Sequence, residues 1–347
     1  MKRFAVLSLF VALLCAAASP VWGAVAINEI NFPDEAFRNH ISTKYDTESS
    51  MKGTLSDREI SFVTSISVPR GVANLEGIKY FTSLKNLFLQ LDSGCYTIVS
   101  VDVSDMTSLE SLILGDARKL VTLNVNGCKG LKTLEGRYVD TLPTLDASNL
   151  TALETFEIGS APNLASLNVS GCTKLKRMTL GYTKKLTALD VSNLTALTRL
   201  TCSGSIADSK LATLNIRGCT ALEELDCSKN KITQLVASDS KALKTLTCND
   251  NSLTSLVVRG CSALEKLYCQ KNSIAALDVT GCTALERLEC DHNELVTLEF
   301  DAGGHPALRY LKCEYNTQNS YKRCMKRQKI LTKLDNKAFY CVCTYNF

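Results

Sequence analysis

One phrase recurs four times between residues 222 and 295 and decides the fold. It reads LEELDCSKNKI at Leu222–Ile232, LKTLTCNDNSL at Leu243–Leu253, LEKLYCQKNSI at Leu264–Ile274 and LERLECDHNEL at Leu285–Leu295. Each copy begins 21 residues after the copy before it. A fixed period in this range predicts a solenoid, in which each repeat forms one coil and packs against its neighbours.

The spacing within each copy, L-x-x-L-x-C-x-x-N-x-L, is the pattern of a leucine-rich repeat. Weaker copies extend the pattern over residues 63–316, at an average of about 22 residues per coil. The twelve coil starts are Val63, Leu84, Leu109, Leu131, Leu153, Leu175, Leu197, Leu222, Leu243, Leu264, Leu285 and Leu308. Gly136 occupies an inward position of one coil and is expected to leave a local gap.

These starts predict an α/β leucine-rich-repeat right-handed solenoid with the shape of a horseshoe. A parallel β-sheet should line its concave face. The second half of each coil, such as Ile274–Val279, is short and extended, so little helix is expected on the convex face. Helical caps are expected at both ends, because terminal coils have no neighbour to cover their apolar side.

Residues 24–62 are predicted to form the amino-terminal cap. Asn31–Asp34 looks like a helix start, and an apolar face with a four-residue spacing follows it at Phe37, Ile41 and Tyr45. The next stretch, Asp46–Ile60, is similar to a calcium-binding loop. Lys52, however, lies where a carboxylate should bind the cation, and a lysine repels it. We therefore predict a turn followed by a short helix.

The first 23 residues match a secretory signal peptide. Lys2 and Arg3 supply the positive start, Phe4–Ala18 is an apolar run, and Val21–Gly23 precedes the expected cleavage site. The run is short for a membrane span, and no second run of spanning length follows. We expect a secreted or cell-surface protein with no membrane span after signal cleavage, and the periplasm remains an open alternative.

The formal net charge of +4 includes the two cationic residues of this signal peptide. The mature chain therefore lacks the strongly basic character of many nucleic-acid-binding proteins. Basic residues are concentrated in residues 317–347, the predicted carboxy-terminal cap. A helix from Asn319 or Ser320 to about Leu334 should carry them on one face, and Ala338–Phe347 should form a final strand. The cationic residues of this helix are Lys322, Arg323, Lys326, Arg327, Lys329 and Lys333.

Cysteine is frequent, with 16 in the chain, and its positions repeat with the coils. One set, in the second inward position of the strand, is Cys202, Cys227, Cys248, Cys269, Cys290 and Cys313; another, later in the coil, is Cys128, Cys172, Cys219, Cys261 and Cys282. Neighbouring strands lie ~4.8 Å apart with parallel side-chain directions, whereas a disulfide needs converging Cβ atoms ~3.8 Å apart. We predict ladders of buried free thiols. A bridge from Cys324 to Cys341 or Cys343 remains open.

No catalytic motif is present in the sequence. The three histidines are His40, His292 and His305. His40 is expected on the surface of the capping helix. Both His292 and His305 could approach zinc together with Cys290 and Cys313. The two cysteines should point into the core, however, while His292 lies on the rim. We predict a protein that is not an enzyme and that binds neither a metal nor a cofactor.

The remaining candidate site is the concave face of the sheet. Residues between the inward leucines should form columns along it, and aromatic and arginine side chains are enriched at binding hot spots. The predicted partner-binding residues are Arg177, Arg199, Glu224, Asp226, Lys266, Tyr268, Arg287, Glu289, Tyr310, Lys312 and Tyr315. A competing hypothesis places polyanion or glycan binding on the basic carboxy-terminal cap.

The phrases LEELDCSKNKITQL, LYCQKNSIAALDVTGCTAL and LECDHNELVTL resemble the cysteine-containing, internalin-like leucine-rich repeats of bacterial surface and secreted proteins. The leading INEINFPDEAFRNHI is similar to the amino-terminal region of such proteins. The resemblance of the repeats covers residues 63–316 and is specific to the fold. It implies a secreted or cell-surface binding protein, in some cases an adhesin. The expected partner is a protein, on a host or a neighbouring cell, with a glycan as the alternative and no nucleic acid.

Overall fold

The computed structural model of the protein describes residues 23–89, 97–205, 208–301, 305–316 and 340–342. Its main feature is a long sheet of thirteen parallel strands that follow one another in chain order. They are β3 Ser65–Val68, β4 Asn86–Leu89, β6 Ser111–Ile113, β8 Thr133–Gly136, β10 Thr155–Ser160, β12 Arg177–Tyr182, β14 Arg199–Thr201, β16 Glu224–Asp226, β18 Thr245–Thr247, β20 Lys266–Tyr268, β22 Arg287–Glu289, β24 Tyr310–Lys312 and β25 Tyr340–Val342. Twelve strands match the twelve predicted coil starts, and the last is the predicted final strand.

The second half of the coils forms short parallel ladders of two strands each. These pairs are β5 Ser100–Asp102 with β7 Thr122–Asn124, β9 Thr144–Asp146 with β11 Ser166–Asn168, β13 Ala188–Asp190 with β15 Thr213–Asn215, β17 Gln234–Val236 with β19 Ser255–Val257, and β21 Ala276–Asp278 with β23 Thr297–Glu299. Apart from the cap, the described coils contain one short 3₁₀ helix, Ile78–Tyr80. The solenoid architecture predicted from the repeat is confirmed.

The coils are held together by one continuous apolar core. Strand residues alternate between buried and solvent-facing positions, because successive side chains of a strand point to opposite faces. Leu225, Leu246 and Leu267 repeat at the same inward position and are fully buried or nearly so. The backbone hydrogen bonds between coils keep the register constant, so a side chain's place in the repeat determines its place on the sheet.

The amino-terminal cap contains two α-helices, α1 Glu35–Tyr45 and α2 Asp57–Phe62, and a small antiparallel sheet of β1 Val25–Ala26 and β2 Thr54–Leu55. Asp34 caps α1 by accepting a hydrogen bond from the amide of Phe37 at 2.8 Å. Phe37 and Ile41 are fully buried. The predicted helix start and apolar face are therefore both present.

The loop similar to a calcium site is closed by protein groups. Glu59, buried at the start of α2, accepts hydrogen bonds from the amides of Thr47, Glu48 and Ser56. Burial opposes the ionised carboxylate, but these bonds outweigh it and lower the pKa of Glu59 to about 2. Lys52 donates through Nζ to the carbonyl oxygen of Asp46 at 2.5 Å. A 3₁₀ turn, Ser49–Met51, precedes the helix, as the sequence predicts.

The predicted thiol ladders are present wherever the structure describes them. Eleven cysteines are free, and all are buried except Cys313, which is partly exposed. Burial raises the pKa of Cys128 to about 11 and that of Cys202 to about 12. The later set also bonds across the coils: Cys172 donates through Sγ to the carbonyl oxygen of Ala147 at 3.1 Å. These thiols pack as small core side chains.

Two details differ from the sequence-based expectation. Gly136 leaves no gap, because a Cβ atom added there would lie 3.2 Å from Ile158 Cδ1 and from Val139 Cγ1, so the large neighbours already fill the space. His40 is half-buried rather than on the surface. Its ring packs edge-on against Tyr45 with 5.9 Å between the ring centroids, and burial lowers its pKa.

Several predictions concern residues outside the described part of the chain. They are the signal peptide, the basic helix of the carboxy-terminal cap and the bridge from Cys324. Two coils are longer than their neighbours in the sequence, with extra residues around Ser205–Lys210 and Asp301–Pro306, and part of each stretch also lies outside. Among the residues that are described, no helix is long and apolar enough to cross a membrane.

Candidate functional site

Except for Tyr315, the predicted site residues lie in two columns on the solvent-facing side of the long sheet. The first column is Arg177, Arg199, Glu224, Thr245, Lys266, Arg287 and Tyr310. The second is Thr179, Thr201, Asp226, Thr247, Tyr268, Glu289 and Lys312. Both columns have the register that the repeat predicts. Neighbouring members are therefore one coil apart and close enough to interact.

Arg287 lies between two tyrosine rings. Its guanidinium carbon is 3.9 Å from the ring centroid of Tyr310 and 5.8 Å from that of Tyr268, within the range of cation–π attraction. Its Nε and Nη2 atoms both donate to Glu289 Oε1, at 2.8 and 2.5 Å. This bond is the main reason why the pKa of Arg287 is raised. The guanidinium is thus both fixed in position and neutralised.

Asp291 anchors the groups beside this pair. Its side chain is only 3% exposed, and its Oδ2 atom lies 3.2 Å from Lys312 Nζ and 2.9 Å from His292 Nδ1. Burial acts to lower the pKa of Lys312, but the hydrogen bond to Asp291 and the nearby carboxylates outweigh it and raise the pKa. The buried carboxylate of Asp291 therefore fixes the positions of Lys312 and His292 at the surface.

The ring of His292 stacks on the ring of Tyr315, with 4.3 Å between the centroids and 29° between the planes. Both residues have positive φ angles, 52° and 50°, which are uncommon for aromatic side chains. The asparagine after each histidine or tyrosine stabilises the turn: Asn293 Nδ2 donates to the carbonyl oxygens of Cys290 and Asp291. The turn places both rings at the edge of the sheet, where Tyr315 is 45% exposed.

These contacts join side chains from the last described coils into one patch, the tyrosine–arginine cluster. Its members are Tyr268, Arg287, Glu289, Asp291, His292, Tyr310, Lys312 and Tyr315. Asp291 was not among the predicted site residues, and His292 was placed only at the edge. Their positions follow from the repeat, but only the contacts in the fold identify them as supports of the cluster.

The other predicted residues do not join this cluster. Arg199 Nη2 pairs with Glu224 Oε1 at 2.8 Å, and Arg177 lies one coil earlier in the same column. Asp226 is half-buried and accepts hydrogen bonds from the amide and hydroxyl of Ser228. Lys266 is exposed on the coil before Arg287 and forms no ion pair in the described part of the chain. The Arg199–Glu224 ion pair therefore lies outside the tyrosine–arginine cluster, and Lys266 lies between the two in the same column.

The described residues do not bring three or more metal-ligating side chains together. His305 is buried, and its Nδ1 atom lies 3.0 Å from the carbonyl oxygen of Cys282. It occupies the cysteine position of its coil, since its carbonyl accepts from the amide of Leu308 just as that of Cys282 accepts from Leu285. The buried thiols have raised pKa values, unlike a nucleophilic cysteine, which needs a lowered one.

Comparisons with known proteins agree with this architecture. The functional domain of InlJ from Listeria monocytogenes, which includes a cysteine ladder, is 26% identical and has a TM-score of 0.54; the match covers 84% of this chain and 57% of that chain. This chain thus spans 57% of the length of that structure. The internalin InlF of Listeria monocytogenes is 18% identical over 93% of this chain and 98% of that chain, with a TM-score of 0.40.

The leucine-rich-repeat domain of APL1B is 15% identical over 71% of this chain and 74% of that chain, with a TM-score of 0.46. No family model matches the chain, and a search of curated proteins finds no match. The repeat, the thiol ladders and the similarity to InlJ all agree. The chain therefore has the internalin-like, cysteine-containing leucine-rich-repeat fold.

Proposed function

We propose that this protein is a secreted or surface-exposed bacterial protein-interaction module that binds a partner protein on the solvent-facing side of its long sheet. The tyrosine–arginine cluster is the proposed contact point. Leucine-rich-repeat solenoids generally act as protein-binding scaffolds and use extended concave surfaces for it. The fold is typically non-enzymatic. A surface protein of a host or of a neighbouring cell is the proposed partner.

The observation that carries this proposal is the pre-organised Arg287. Arginine and tyrosine dominate the energetics of many protein interfaces, but ordering a free arginine on binding has an entropic cost of about 0.5–1.5 kcal/mol. Here Tyr310, Tyr268 and Glu289 already fix the guanidinium. Much of that cost has therefore been met during folding, as expected for a binding surface.

The first step of the test is to identify the partner by crosslinking mass spectrometry on intact cells with their neighbours. The recovered partner is then captured with wild-type protein and with Arg287→Glu, Tyr268→Ala and Tyr310→Ala. We expect each substitution to weaken capture at least about tenfold, the size of a typical hot-spot effect. Tyr182→Ala is the matched control, because Tyr182 is an exposed tyrosine of the same sheet outside the cluster.

Unchanged capture by all three cluster variants would show that the partner binds elsewhere. The competing site is the basic segment 317–347, for which the sequence predicts a helix whose lysines and arginines would attract polyanions or acidic glycans. A variant lacking residues 319–334 separates the two hypotheses. Binding to a heparin-like column that survives this deletion would argue against the basic helix.

A further inference from the structure

The charges of the tyrosine–arginine cluster neutralise one another within the protein. Arg287 pairs with Glu289 on its own strand, and Lys312 pairs with Asp291 from the coil before. Each cation of these two coils that faces the cluster thus has its own carboxylate. A site for a charged partner would leave a charge of one sign free to attract it, as a cleft lined by one sign of charge does.

The aromatic rings of the cluster are likewise in contact with other members of the cluster. Arg287 covers one face of Tyr310, and His292 covers one face of Tyr315. The hydroxyl groups of Tyr268, Tyr310 and Tyr315 form no hydrogen bond with any described protein group. The surface therefore offers partly exposed apolar ring area together with three hydroxyls that have no partner in the described part of the chain, each of which can donate or accept a hydrogen bond.

These two observations point to the chemistry of the partner. We infer that, at the proposed site, the partner presents an uncharged protein segment with apolar or aromatic side chains, and that its backbone amides and carbonyls bond with the tyrosine hydroxyls. This inference rests on the proposed function and adds the partner's chemistry to it. A sugar ring fits less well, because stacking on it needs open ring faces and two faces are already covered.

The inference predicts a weak dependence on salt. Salt screens interactions between exposed charges that attract across an interface, whereas apolar contacts and neutral hydrogen bonds are little affected by moderate salt. Lys266, exposed at the border of the cluster, is the nearest unpaired cation on the described sheet. Charged contacts would therefore act at the rim, where they contribute little to affinity.

The experiment is a selection of peptides from a random display library against the full-length protein. Selected peptides are sequenced, synthesised and titrated at about 0.05 and 0.5 M salt, a range over which the Debye length falls several-fold. We expect sequences with few charged residues and a change in Kd of less than about twofold between the two salts. Tyr268→Ala and Tyr310→Ala should each weaken these peptides at least about tenfold.

Two further variants control for misfolding and for position. Tyr310→Phe keeps the ring that stacks on Arg287 and removes the hydroxyl, so it should fold normally and weaken binding about threefold. Tyr182→Ala should leave Kd unchanged. If the tyrosine variants lose binding but the peptides are acidic and lose affinity about tenfold in salt, this inference is wrong while the proposed site stands.

Peptides that bind equally well to every cluster variant would instead place the site elsewhere and overturn the proposed function. A library that yields no binder would overturn the inference, because a pre-organised uncharged surface should accept short segments. A neutral glycan array completes the comparison. Glycan binding that is lost with Tyr268→Ala would replace the protein segment by a sugar as the occupant of the site.

Discussion

The two halves of the solenoid satisfy the backbone hydrogen-bonding groups after each strand in different ways. In the coils that start at Leu153 and Leu175, the strands β10 and β12 are six residues long, and backbone bonds between coils continue to Ser160 and Tyr182. From Leu222 onward the strands have three residues, and the chain turns at once. An asparagine, buried or half-buried, then satisfies the backbone groups that the turn leaves unpaired.

This difference also separates the half that carries the tyrosine–arginine cluster from the half that does not. In the first half the backbones of neighbouring coils approach so closely that a Cβ atom at Gly181 would lie within 1.8 Å of the carbonyl oxygen of Gly159. The same position holds Asp291 in the second half. Because the asparagine ladder ends the strand early, that half has room for the carboxylate that supports Lys312 and His292.

The largest expected effect comes from breaking the asparagine ladder. Asn272 Nδ2 donates to the carbonyl oxygens of Cys248 and Cys269, and Oδ1 accepts from the amide of Leu253. Because Asn272→Ala leaves several backbone groups unsatisfied, we expect it to lower the free energy of unfolding by about 3 kcal/mol. Urea denaturation followed by circular dichroism measures this loss.

The matched control is Thr183→Ala, which changes the same position in a coil of the first half. Strand bonds already satisfy the backbone there, so the loss should stay below about 1 kcal/mol. Equal losses in the two variants would show that the asparagines do not carry the turns of the second half. Hydrogen exchange should locate the effect of Asn272→Ala in its own coil and the two beside it.

In the first half of the solenoid, one added methyl group should be enough to destabilise the packing of two coils. Gly181→Ala forces the coils of Leu153 and Leu175 apart, and we expect a loss of about 2 kcal/mol in the free energy of unfolding. Ser203→Ala tests the same column one coil later, where a side chain is already accommodated, and should be close to neutral. Thermal unfolding of both variants gives the comparison, and a neutral Gly181→Ala would contradict the close approach of the two backbones.

A smaller effect is expected from the charges at the edge of the first half. Lys85, Glu110, Lys132, Glu154 and Lys176 alternate in sign from coil to coil, and Lys176 pairs with Glu154 at 2.8 Å. Exposed pairs of this kind contribute little, so Lys176→Ala should cost about 0.5 kcal/mol and even less at high salt. A salt-independent loss would indicate packing of the lysine stem rather than charge.

The last comparison concerns the reactivity of the buried thiols and does not measure stability. The pKa of an ordinary cysteine is near 8.5, but burial raises that of Cys128 to about 11 and that of Cys202 to about 12. Since the thiolate is the reactive form, iodoacetamide should leave both unmodified at pH 8. As the pH is raised, Cys128 should be alkylated before Cys202. Mass spectrometry of the alkylated native protein tests this order, with urea-unfolded protein as the control.

The repeat alone predicted the coils, the register of the sheet and the free thiols, because each follows from a spacing that recurs many times. It also placed Arg287, Tyr268 and Tyr310 near one another. It did not predict that Asp291 contacts Lys312 and His292, since the sequence of one coil does not show which acidic side chain will be buried beneath its neighbours. The tight approach at Gly181 was missed for a similar reason: it depends on the backbone path of two coils together.

The buried thiols have a consequence for the life of the protein after it unfolds. In the folded protein Cys227, Cys248 and Cys269 are buried, which protects them from oxidants in solution. Once the coils open in an oxidising medium such as oxidised glutathione, the thiols become ordinary ones and form disulfides that the parallel ladder cannot accommodate. We expect refolding from urea to succeed with a reductant and to fail after such exposure. In an oxidising medium outside the cell, complete unfolding would therefore be irreversible.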